Sequence, residues 1–254
     1  MRPAAILPVK RFEAAKQRLG ETLGSGSRAA LAAAMFADVL SALERSRMLQ
    51  AVVVVSGEPE VADIVAGRDV IVIDDTTEKG QSNAARAGLA RVAAMGFDRA
   101  ALVPIDCPLL EPAELEELFV RAAAGADVVL VPDRHDVGTN ALVVDPSGPF
   151  EPQFGPGSRQ RHVEQAEHRG LRCAIERPPS LTIDVDTEDD LVALGIALER
   201  SHGRAPRTRG VLRQIERTRG PARSRPEWRS RGCGLRPSRF PACRRCARAT
   251  PSPP

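Results

Sequence analysis

The chain has 254 residues, of which 43% are hydrophobic, enough for one sizeable core or two small ones. An aromatic fraction of 3%, with one Trp and no Tyr, argues against a platform that stacks the bases of single-stranded nucleic acid. No apolar run approaches the roughly 20 residues of a membrane span, and residues 1–20 do not resemble a signal peptide. We therefore expect a cytoplasmic globular protein that does not contact membranes.

The net charge of +3 is the average of two unlike regions. Residues 203–254 hold 15 Arg and two acids, a local charge of +13, which leaves −10 for residues 1–202. The basic region is rich in Pro, Gly and Ser and shows no clear apolar periodicity, which is typical of disorder. We predict one domain over residues 1–202 and a disordered tail over residues 203–254. Within that tail, Cys243 and Cys246 have the spacing of half a zinc site, with no second pair nearby.

Strands and helices alternate along residues 1–202. We predict strands at residues 4–9, 51–55, 70–73, 100–105, 127–131 and 141–144, and helices at residues 27–45, 59–66, about 84–93, 111–124 and 158–168. The strands are continuous Val- and Ile-rich runs, which favours strands covered on both faces of a mostly parallel sheet. Alternation of this kind implies right-handed crossovers and a single doubly wound α/β domain.

One predicted strand ends directly at an acid, in the sequence Ile105-Asp106-Cys107-Pro108. Ligands of open α/β sheets bind in the crevice outside the carboxyl ends of the strands. A carboxylate at that position is costly to bury without a partner, so Asp106 indicates a metal ion or a cationic ligand. The alternative is that Asp106 caps the helix that begins near Glu111.

Two further acids, Asp184 and Asp186, lie two residues apart in a segment, residues 181–187, that we expect to be extended. Both side chains then leave the same side of the chain. Together with Asp106 they supply oxygen ligands that suit Mg²⁺ bridging phosphates better than a closed zinc site. The alternative is that Asp186 belongs to a helix start at Thr187, with Asp190 as the acid of a capping box.

Three polar loops are candidates for binding anions or a base. A basic loop follows the first strand, and a glycine-rich turn at residues 154–158 opens a helix whose free N–H groups suit an anion. A third loop ends at Gly80 and Asn83, and we expect it to face the same crevice as Asp106 and to help select the base. Each glycine turn has the simpler interpretation of a helix start, and His135, a candidate general base, has that of a solvated loop residue.

The chain lacks the G-x-x-x-x-G-K-[ST] loop and a dinucleotide fingerprint. It has instead five motifs in fixed order: Leu7 to Leu19, Asp106-Cys107-Pro108, Gly138 to Leu142, Phe154 to Ser158 and Asp184 to Thr187. Over roughly residues 4–200 this pattern resembles the guanylyltransferases that activate 2-phospho-L-lactate or phosphoenolpyruvate for the deazaflavin coenzyme F-420.

The resemblance implies a nucleotidyltransferase fold like that of molybdenum-cofactor nucleotidylyltransferases and of glycosyltransferases of the A type. It also implies GTP as the donor, diphosphate as the leaving group, Mg²⁺ as the metal and a phosphorylated three-carbon acid as the acceptor. Phosphoenolpyruvate, 2-phospho-L-lactate and 3-phospho-D-glycerate all present a carboxylate and a phosphate, so the sequence does not choose among them.

Site residues carried over from the family fall into three sets. The metal ligands are Asp106, Asp184 and Asp186; the residues that hold the acid are Thr139, Gly155 and Ser158; the loop that binds the nucleotide phosphates holds Lys10, Arg11, Lys16 and Arg18. Asp106, Lys10 and Lys16 are the expected catalytic residues, with Gly80 and Asn83 on the nucleotide side. Cys107 departs from the family, which usually has Leu there, and the Arg-rich tail has no counterpart.

Two other functions fit parts of the sequence. A sugar-nucleotide transferase would use the same fold, but its acidic pair would follow the central strand, where this chain has Asp106-Cys107-Pro108. A non-catalytic module would use the basic tail to grip RNA through its phosphates; apart from the tail, we do not expect nucleic acid as a partner.

Overall fold

The computed structural model describes residues 1–13, 15–20, 22–75, 80–201 and 203–218. The strands are β1 (Pro3–Val9), β2 (Ala51–Ser56), β3 (Ile71–Asp74), β4 (Arg99–Leu102), β5 (Val128–Pro132), β6 (Thr139–Val144) and β7 (Cys173–Ile175). The helices are α1 (Ser25–Leu43), α2 (Glu60–Val65), α3 (Gln81–Ala94), α4 (Pro112–Ala123), α5 (Ser158–His168), α6 (Glu188–Arg200) and α7 (Pro206–Thr218). The predicted elements are present within a few residues, whereas β7 and α7 were not predicted and α6 was given only as a helix start at Thr187. The segment over residues 181–187 is not extended at its start, because Leu181 ends the 3-10 helix Pro179–Leu181 and Thr182 is also helical.

The seven strands form one sheet in the order β3-β2-β1-β4-β6-β5-β7. β1 pairs in parallel with β2 and with β4, and β6 runs antiparallel between β4 and β5. This confirms the mostly parallel, doubly wound sheet. The winding changes direction between β1 and β4, which is where such sheets bind ligands. We call the edge formed by the carboxyl ends of the parallel strands and the amino end of β6 the site edge.

Helices cover both faces of the sheet. Along β1, Ala5, Leu7 and Val9 pack on one face with residues of α1 and α4, and Ala4 and Ile6 pack on the other with residues of α3. A Cβ on Gly88 of α3 would lie 2.4 Å from Ile6 Cγ2, so the glycine lets helix and strand approach closely. Every residue of β1 is buried, which explains the continuous apolar pattern of the strand.

α1 is long and apolar enough, by length and composition alone, to cross a membrane, with a mean hydropathy of 1.3. In the fold its apolar residues have another role: Phe36, Val39, Leu40 and Leu43 contact the core under the sheet. Leu31 packs with residues of α6 in an apolar cluster that is separate from those on the two faces of the sheet. The apolar character of α1 is therefore that of a core helix.

The prediction that residues 203–254 are disordered is wrong for residues 203–218. These residues include α7, whose Val211, Leu212 and Ile215 pack in a cluster with α1 and α6. The buried carboxylate of Asp38 accepts hydrogen bonds from the backbone N–H groups of Arg207 and Thr208, at 3.2 and 2.7 Å. Residues 219–254, with Cys243 and Cys246, lie outside the described residues.

The apolar face of α7 was not predicted from the sequence because arginines surround it. Thr208, Val211, Leu212 and Ile215 have the i, i+3, i+4, i+7 spacing of a helix face. The average composition of the region is nevertheless that of a disordered segment. A narrow apolar face is sufficient here because α1 already supplies the opposing surface.

We expect a chain that ends at Ser201 to melt at a lower temperature than the full chain. Loss of α7 exposes Leu31 and Met35 and removes both N–H donors of the buried Asp38 carboxylate, the second effect alone costing about 1–3 kcal/mol. Thermal melting of a chain that ends at Thr218, which keeps α7, is the matched control and should equal that of the full chain. Equal melting temperatures for the two shortened chains would contradict the packing.

Candidate active site

The ammonium group of Lys16 lies between two carboxylates at the site edge. Its Nζ is 2.6 Å from Asp106 Oδ2 and 3.0 Å from Asp186 Oδ1. Burial alone would lower the pKa of Lys16, but the carboxylates of Asp106 and Asp186 outweigh burial and raise it, so the side chain is charged. Three segments that are far apart in sequence thus meet in one charge cluster.

The loop that carries Lys16 is fixed at both ends by buried side chains. Phe12 is 1% exposed and Leu19 is fully buried, and the Phe12 N–H donates to Glu58 Oε2 at 2.7 Å. Between these anchors Lys16 adopts φ 58°, a left-handed conformation. Such a backbone costs a non-glycine residue on the order of 1 kcal/mol and persists where the surroundings enforce it. The loop therefore holds Lys16 in place against a local preference.

A third carboxylate, that of Asp184, lies beside this cluster. Burial, followed by the negative charge of Asp106, raises the pKa of Asp184 to about 6. Asn140 Nδ2 donates to the carbonyl oxygen of Leu181 at 2.8 Å and to Asp184 Oδ1 at 3.4 Å. Asn140, whose role the sequence analysis did not assign, thus ties β6 to the segment that carries the acids.

The three predicted metal ligands are therefore neighbours, and their carboxylate oxygens are the donors that Mg²⁺ prefers. In the present arrangement the cation between Asp106 and Asp186 is the Lys16 ammonium. Within the described part of the chain, no group of three or more His, Cys, Asp or Glu side chains is placed to hold a metal ion. The donor set fits Mg²⁺ in its chemistry, and binding through all three acids would require these side chains to move.

Asp190 anchors the segment that carries Asp186. Its Oδ2 accepts hydrogen bonds from the backbone N–H groups of Asp186 and Thr187, at 3.1 and 2.7 Å, and Thr187 completes the capping box of α6. Its Oδ1 lies 2.7 Å from Arg134 Nε. The predicted capping box is confirmed, and the same contacts position Asp186. His135 Nε2 is 3.7 Å from Asp190 Oδ1 with its side chain 59% exposed, as expected of a solvated loop residue.

Cys107 lies beneath the acids and takes no part in their contacts. The thiol is fully buried and its sulfur is 3.6 Å from the carbonyl oxygen of Leu181. Burial, followed by the charge of Asp106, raises the pKa of this thiol, which disfavours the reactive thiolate. Cys107 thus acts as a small apolar core residue at the position where the family usually has Leu.

A cavity of about 280 Å³ opens at the site edge beside β1. Among the residues that line it are Lys10, Arg11, Gly80 and Gln81, so two predicted nucleotide-binding loops share one wall. Gly80 adopts φ 94° and precedes the first turn of α3. The volume is close to the lower end of small-molecule pockets, about 300 Å³, which is room for part of a nucleotide.

Three predicted nucleotide-binding residues lie outside that lining, namely Lys16 of the charge cluster, Arg18 and Asn83. Arg18 is exposed on the short 3-10 helix Gln17–Leu19. Asn83 lies in the first turn of α3, where its side-chain oxygen accepts a hydrogen bond from Arg86. The role of Asn83 in selecting the base, and that of Arg18 in binding phosphate, stay predictions.

The glycine-rich turn before α5 lies next to the start of α3. The Phe154 N–H donates to Ser82 Oγ at 2.9 Å, so the turn neighbours the helix whose first residues line the cavity. Gly155 and Gly157 adopt φ 115° and φ 70°, which favours glycine at both positions. Ser158 is 1% exposed at the start of α5. The predicted acid-binding turn and the cavity thus adjoin each other.

Thr139 at the start of β6 is linked to α5 through His162. The Oγ1 of Thr139 is 3.0 Å from His162 Nδ1, and His162 Nε2 accepts a hydrogen bond from the Gln153 N–H at 2.8 Å. Burial, followed by the charge of Arg161, lowers the pKa of His162 to about 4. The imidazole is therefore neutral at pH 7, and sequence analysis assigned it no role.

Comparison with known proteins shows the family of this chain. The sequence model of the family described as "Guanylyl transferase CofC like" matches residues 3–230. The chain belongs to this family. The phosphoenolpyruvate guanylyltransferase of Conexibacter woesei is 44% identical over 215 residues, which cover 84% of this chain and 96% of that protein. The 2-phospho-L-lactate guanylyltransferase of Methanothermobacter thermautotrophicus is 32% identical over 223 residues, with 88% and 95% covered. The resemblance drawn from the five motifs is confirmed.

Solved structures support the fold of this CofC-like chain. A putative nucleotide-diphospho-sugar transferase from Desulfovibrio desulfuricans G20 superposes with a TM-score of 0.68 at 18% identity, covering 85% of this chain and 96% of that one. A nucleotidyl transferase from Methanothermobacter superposes with a TM-score of 0.58 at 17% identity, covering 78% and 98%. The predicted nucleotidyltransferase architecture is therefore confirmed.

We expect Lys16→Met to lower the melting temperature in metal-free buffer. The change leaves Asp106 and Asp186 facing each other without a cation, and removing one partner of a buried pair costs up to about 3–5 kcal/mol. Because Asp186 is 49% exposed, we expect a smaller loss of about 1–3 kcal/mol. Lys10→Met, which removes an exposed lysine from the same loop, is the control and should melt like the wild type. An unchanged melting temperature of the Lys16→Met protein would show that the cluster does not need this cation.

The low pKa of His162 predicts a pH dependence of stability. The unfolded chain takes up a proton near pH 6.5 but the folded chain only near pH 4, so the free energy of unfolding falls as the pH drops through this window. The contribution is about 3 kcal/mol. In chemical denaturation between pH 7 and pH 4, the free energy of unfolding should decline less for His162→Gln than for the wild type. His168→Gln, on the exposed side of the same helix, should follow the wild type, and parallel curves for all three proteins would contradict the assignment.

Proposed function

We propose that this chain, a guanylyltransferase by family, transfers the guanylyl group of GTP to phosphoenolpyruvate and releases diphosphate. Its role would be in coenzyme F-420 biosynthesis, as the resemblance implies, and we place it in the cytoplasm. The observation that carries the proposal is the charge cluster of Lys16, Asp106 and Asp186 at the site edge of a CofC-like chain. Phosphoenolpyruvate is favoured because the relatives from Conexibacter woesei and Sphaerobacter thermophilus that bear this name are 44% and 37% identical, against 32% for the 2-phospho-L-lactate enzyme.

The proposed reaction needs little acid–base catalysis. A phosphate oxygen of the acceptor attacks the α-phosphorus of GTP, a new phosphorus–oxygen bond forms, and the bond between the α-phosphorus and the bridging oxygen of diphosphate breaks. The attacking oxygen is already deprotonated at neutral pH, so no general base is needed. Catalysis then consists of aligning two polyanions and neutralising their charge. Cationic side chains and backbone N–H groups at the site edge suit that task.

The cavity beside β1 is proposed to hold the guanosine portion of GTP. Gly80 and Gln81 lie on its wall at the start of α3, and Lys10 and Arg11 stand at the end where β1 leaves the sheet. From there the loop runs on to Lys16 in the charge cluster. The phosphates would follow this loop, where Lys10, Arg11 and Lys16 offset their negative charge and Arg18 adds to the local field.

Mg²⁺ is proposed as the metal of the reaction, held by Asp106, Asp184 and Asp186. When bound, it would supply positive charge next to phosphate oxygens. The structure supports the choice through the donor type and through the shared location of the three acids. Asn140 and Asp190 hold the segment with Asp184 and Asp186 against β6 and α6, so these contacts fix the backbone of the segment that carries two of the three acids.

The acid is proposed to bind between the start of β6 and the start of α5. Thr139 lies at the amino end of β6, while Gly155 and Ser158 flank the turn that opens α5. Arg161 donates to the carbonyl oxygens of Gln153 and Gly155, at 3.0 and 3.4 Å. The first N–H groups of α5 already donate, that of Ser158 to the Gly155 carbonyl oxygen at 3.0 Å and that of Arg159 to the Val137 carbonyl oxygen at 3.2 Å. An anion at this turn would therefore be held by the hydroxyls of Thr139 and Ser158 and by the positive end of the α5 dipole. The turn adjoins α3 through Phe154 and Ser82, so acceptor and donor sites are neighbours.

Following diphosphate release from GTP and Mg²⁺ with each acid tests the proposal directly. We expect turnover with phosphoenolpyruvate, less with 2-phospho-L-lactate and least with 3-phospho-D-glycerate. ATP in place of GTP should support little turnover. Preference for 2-phospho-L-lactate would contradict the choice of acid, and absence of diphosphate with all three acids would contradict the function.

Substitutions should separate the acid site from the charge cluster. Ser158→Ala removes one hydrogen bond to a charged acceptor, worth about 1.5–3 kcal/mol, so we expect kcat/KM for the acid to fall about 10- to 100-fold with the KM for GTP unchanged. Asp106→Asn removes a charge from the cluster, and its loss should fall on kcat. Ser147→Ala, at an exposed serine before α5, is the control.

Steady-state kinetics with each substrate varied in turn distinguishes these effects. Near-normal turnover of Asp106→Asn at saturating Mg²⁺ would remove Asp106 from the reaction. A Ser158→Ala protein that loses GTP binding while keeping its KM for the acid would place Ser158 on the nucleotide side.

A further inference from the structure

Both ring nitrogens of the buried His162 make hydrogen bonds, and together they define its protonation. Nε2 accepts a hydrogen bond from the Gln153 N–H at 2.8 Å, so Nε2 carries no proton. A neutral imidazole holds one proton, which must then be on Nδ1. Nδ1 therefore donates to Thr139 Oγ1, 3.0 Å away, and the hydroxyl of Thr139 is the acceptor of this bond.

The orientation of the Thr139 hydroxyl follows. Its oxygen accepts from His162, so its own hydrogen is left to donate elsewhere. In residues 1–13, 15–20, 22–75, 80–201 and 203–218, no second hydrogen bond of this hydroxyl is present. Thr139 begins β6 at the site edge, next to Asn140, which contacts Asp184. The hydrogen of this hydroxyl is thus available for a ligand at the edge where the acids gather.

The imidazole is held firmly enough to set this orientation. The rings of Phe150 and Phe154 lie with their centroids 5.6 Å from that of His162, the second edge-on, and the side chain is 0% exposed. His162 also lies one turn after Ser158 on α5, and its other partner, Gln153, comes two residues before Gly155. One side chain therefore fixes both walls of the proposed acid site.

We propose that His162 is a positioning residue that makes the Thr139 hydroxyl a hydrogen-bond donor to the phosphorylated acid. The proposal rests on the proposed function, and it assigns His162 no contact with substrate. A histidine that merely fills the core would satisfy the same hydrogen bonds, but its removal would not act through the Thr139 hydroxyl. That difference is measurable.

Two substitutions of His162 test the two hydrogen bonds of its imidazole ring separately. Glutamine places its terminal group near Nε2, so His162→Gln can accept from Gln153 but cannot donate to Thr139. Asparagine places its amide near Nδ1, so His162→Asn can still donate to Thr139. Thr139→Val removes the hydroxyl at similar volume, and His168→Gln is the control on the exposed side of the same helix.

We expect Thr139→Val to raise the KM for phosphoenolpyruvate about tenfold, as for loss of one hydrogen bond to a charged group, and His162→Gln to raise it by a similar factor. The KM for GTP and kcat should stay near wild type for both. His162→Asn should retain most of the affinity for the acid, and His162→Gln should add nothing in the Thr139→Val background. The proposal would be overturned if the two increases in KM multiplied in the variant that carries both Thr139→Val and His162→Gln. It would also be overturned if His162→Asn and His162→Gln lost the same affinity for the acid.

A measurement on the wild-type protein covers the case in which His162→Gln does not fold. Nitrogen-15 NMR of the histidine side chains should show His162 with its proton on Nδ1. Adding phosphoenolpyruvate should shift the Nδ1 resonance, because a hydroxyl that donates to the acid becomes a better acceptor, whereas GTP alone should not. A proton on Nε2, or an Nδ1 resonance that phosphoenolpyruvate leaves unchanged at saturation, would overturn the assignment.

Failure of the proposed function is distinguishable from failure of this inference. A wild-type protein that releases no diphosphate with any of the three acids contradicts both. A wild-type protein that turns over phosphoenolpyruvate, together with a His162→Gln protein whose KM for it is unchanged, contradicts the role of His162 alone.

Discussion

The charge balance around Lys16 is the constraint on which the site depends. Three carboxylates at the end of a buried sheet repel one another and are costly to desolvate, and the Lys16 ammonium offsets part of that cost by lying within hydrogen-bond distance of Asp106 and Asp186. The raised pKa of Asp184 shows that the compensation is incomplete. The proposed Mg²⁺ would add positive charge next to these carboxylates.

The supporting contacts serve stability and function at once. Asp190 caps α6, as an acid at the third position of a helix commonly does, and the same carboxylate receives the backbone N–H of Asp186. Phe12 and Leu19 belong to the core, yet they also determine the path of the loop that brings Lys16 to the acids. Positioning by core residues is what a transfer between two polyanions requires, because its rate depends on alignment rather than on a strong base.

The site edge has two chemically different sides. Acids and Lys16 lie near the carboxyl ends of β1 and β4, while Thr139, the turn before α5 and His162 lie on the side proposed to bind the phosphorylated acid. The antiparallel strand β6 connects them, because Thr139 and Asn140 are consecutive and contact His162 and Asp184 respectively. One strand thereby sets the spacing between the proposed acid site and the acids.

The sequence by itself determined most elements of residues 1–202 and the mostly parallel sheet, because hydrophobic periodicity and turn residues are local properties. It also predicted the site residues, from five motifs in a fixed order. It was wrong about residues 203–218, since the face of α7 is stable only against α1. It also left open which side chains would pair. Lys16 and Asp186 are 170 residues apart, and the partner of Thr139 lies on a different helix. Only the tertiary structure decided these contacts, because they depend on where the sheet brings its strand ends together.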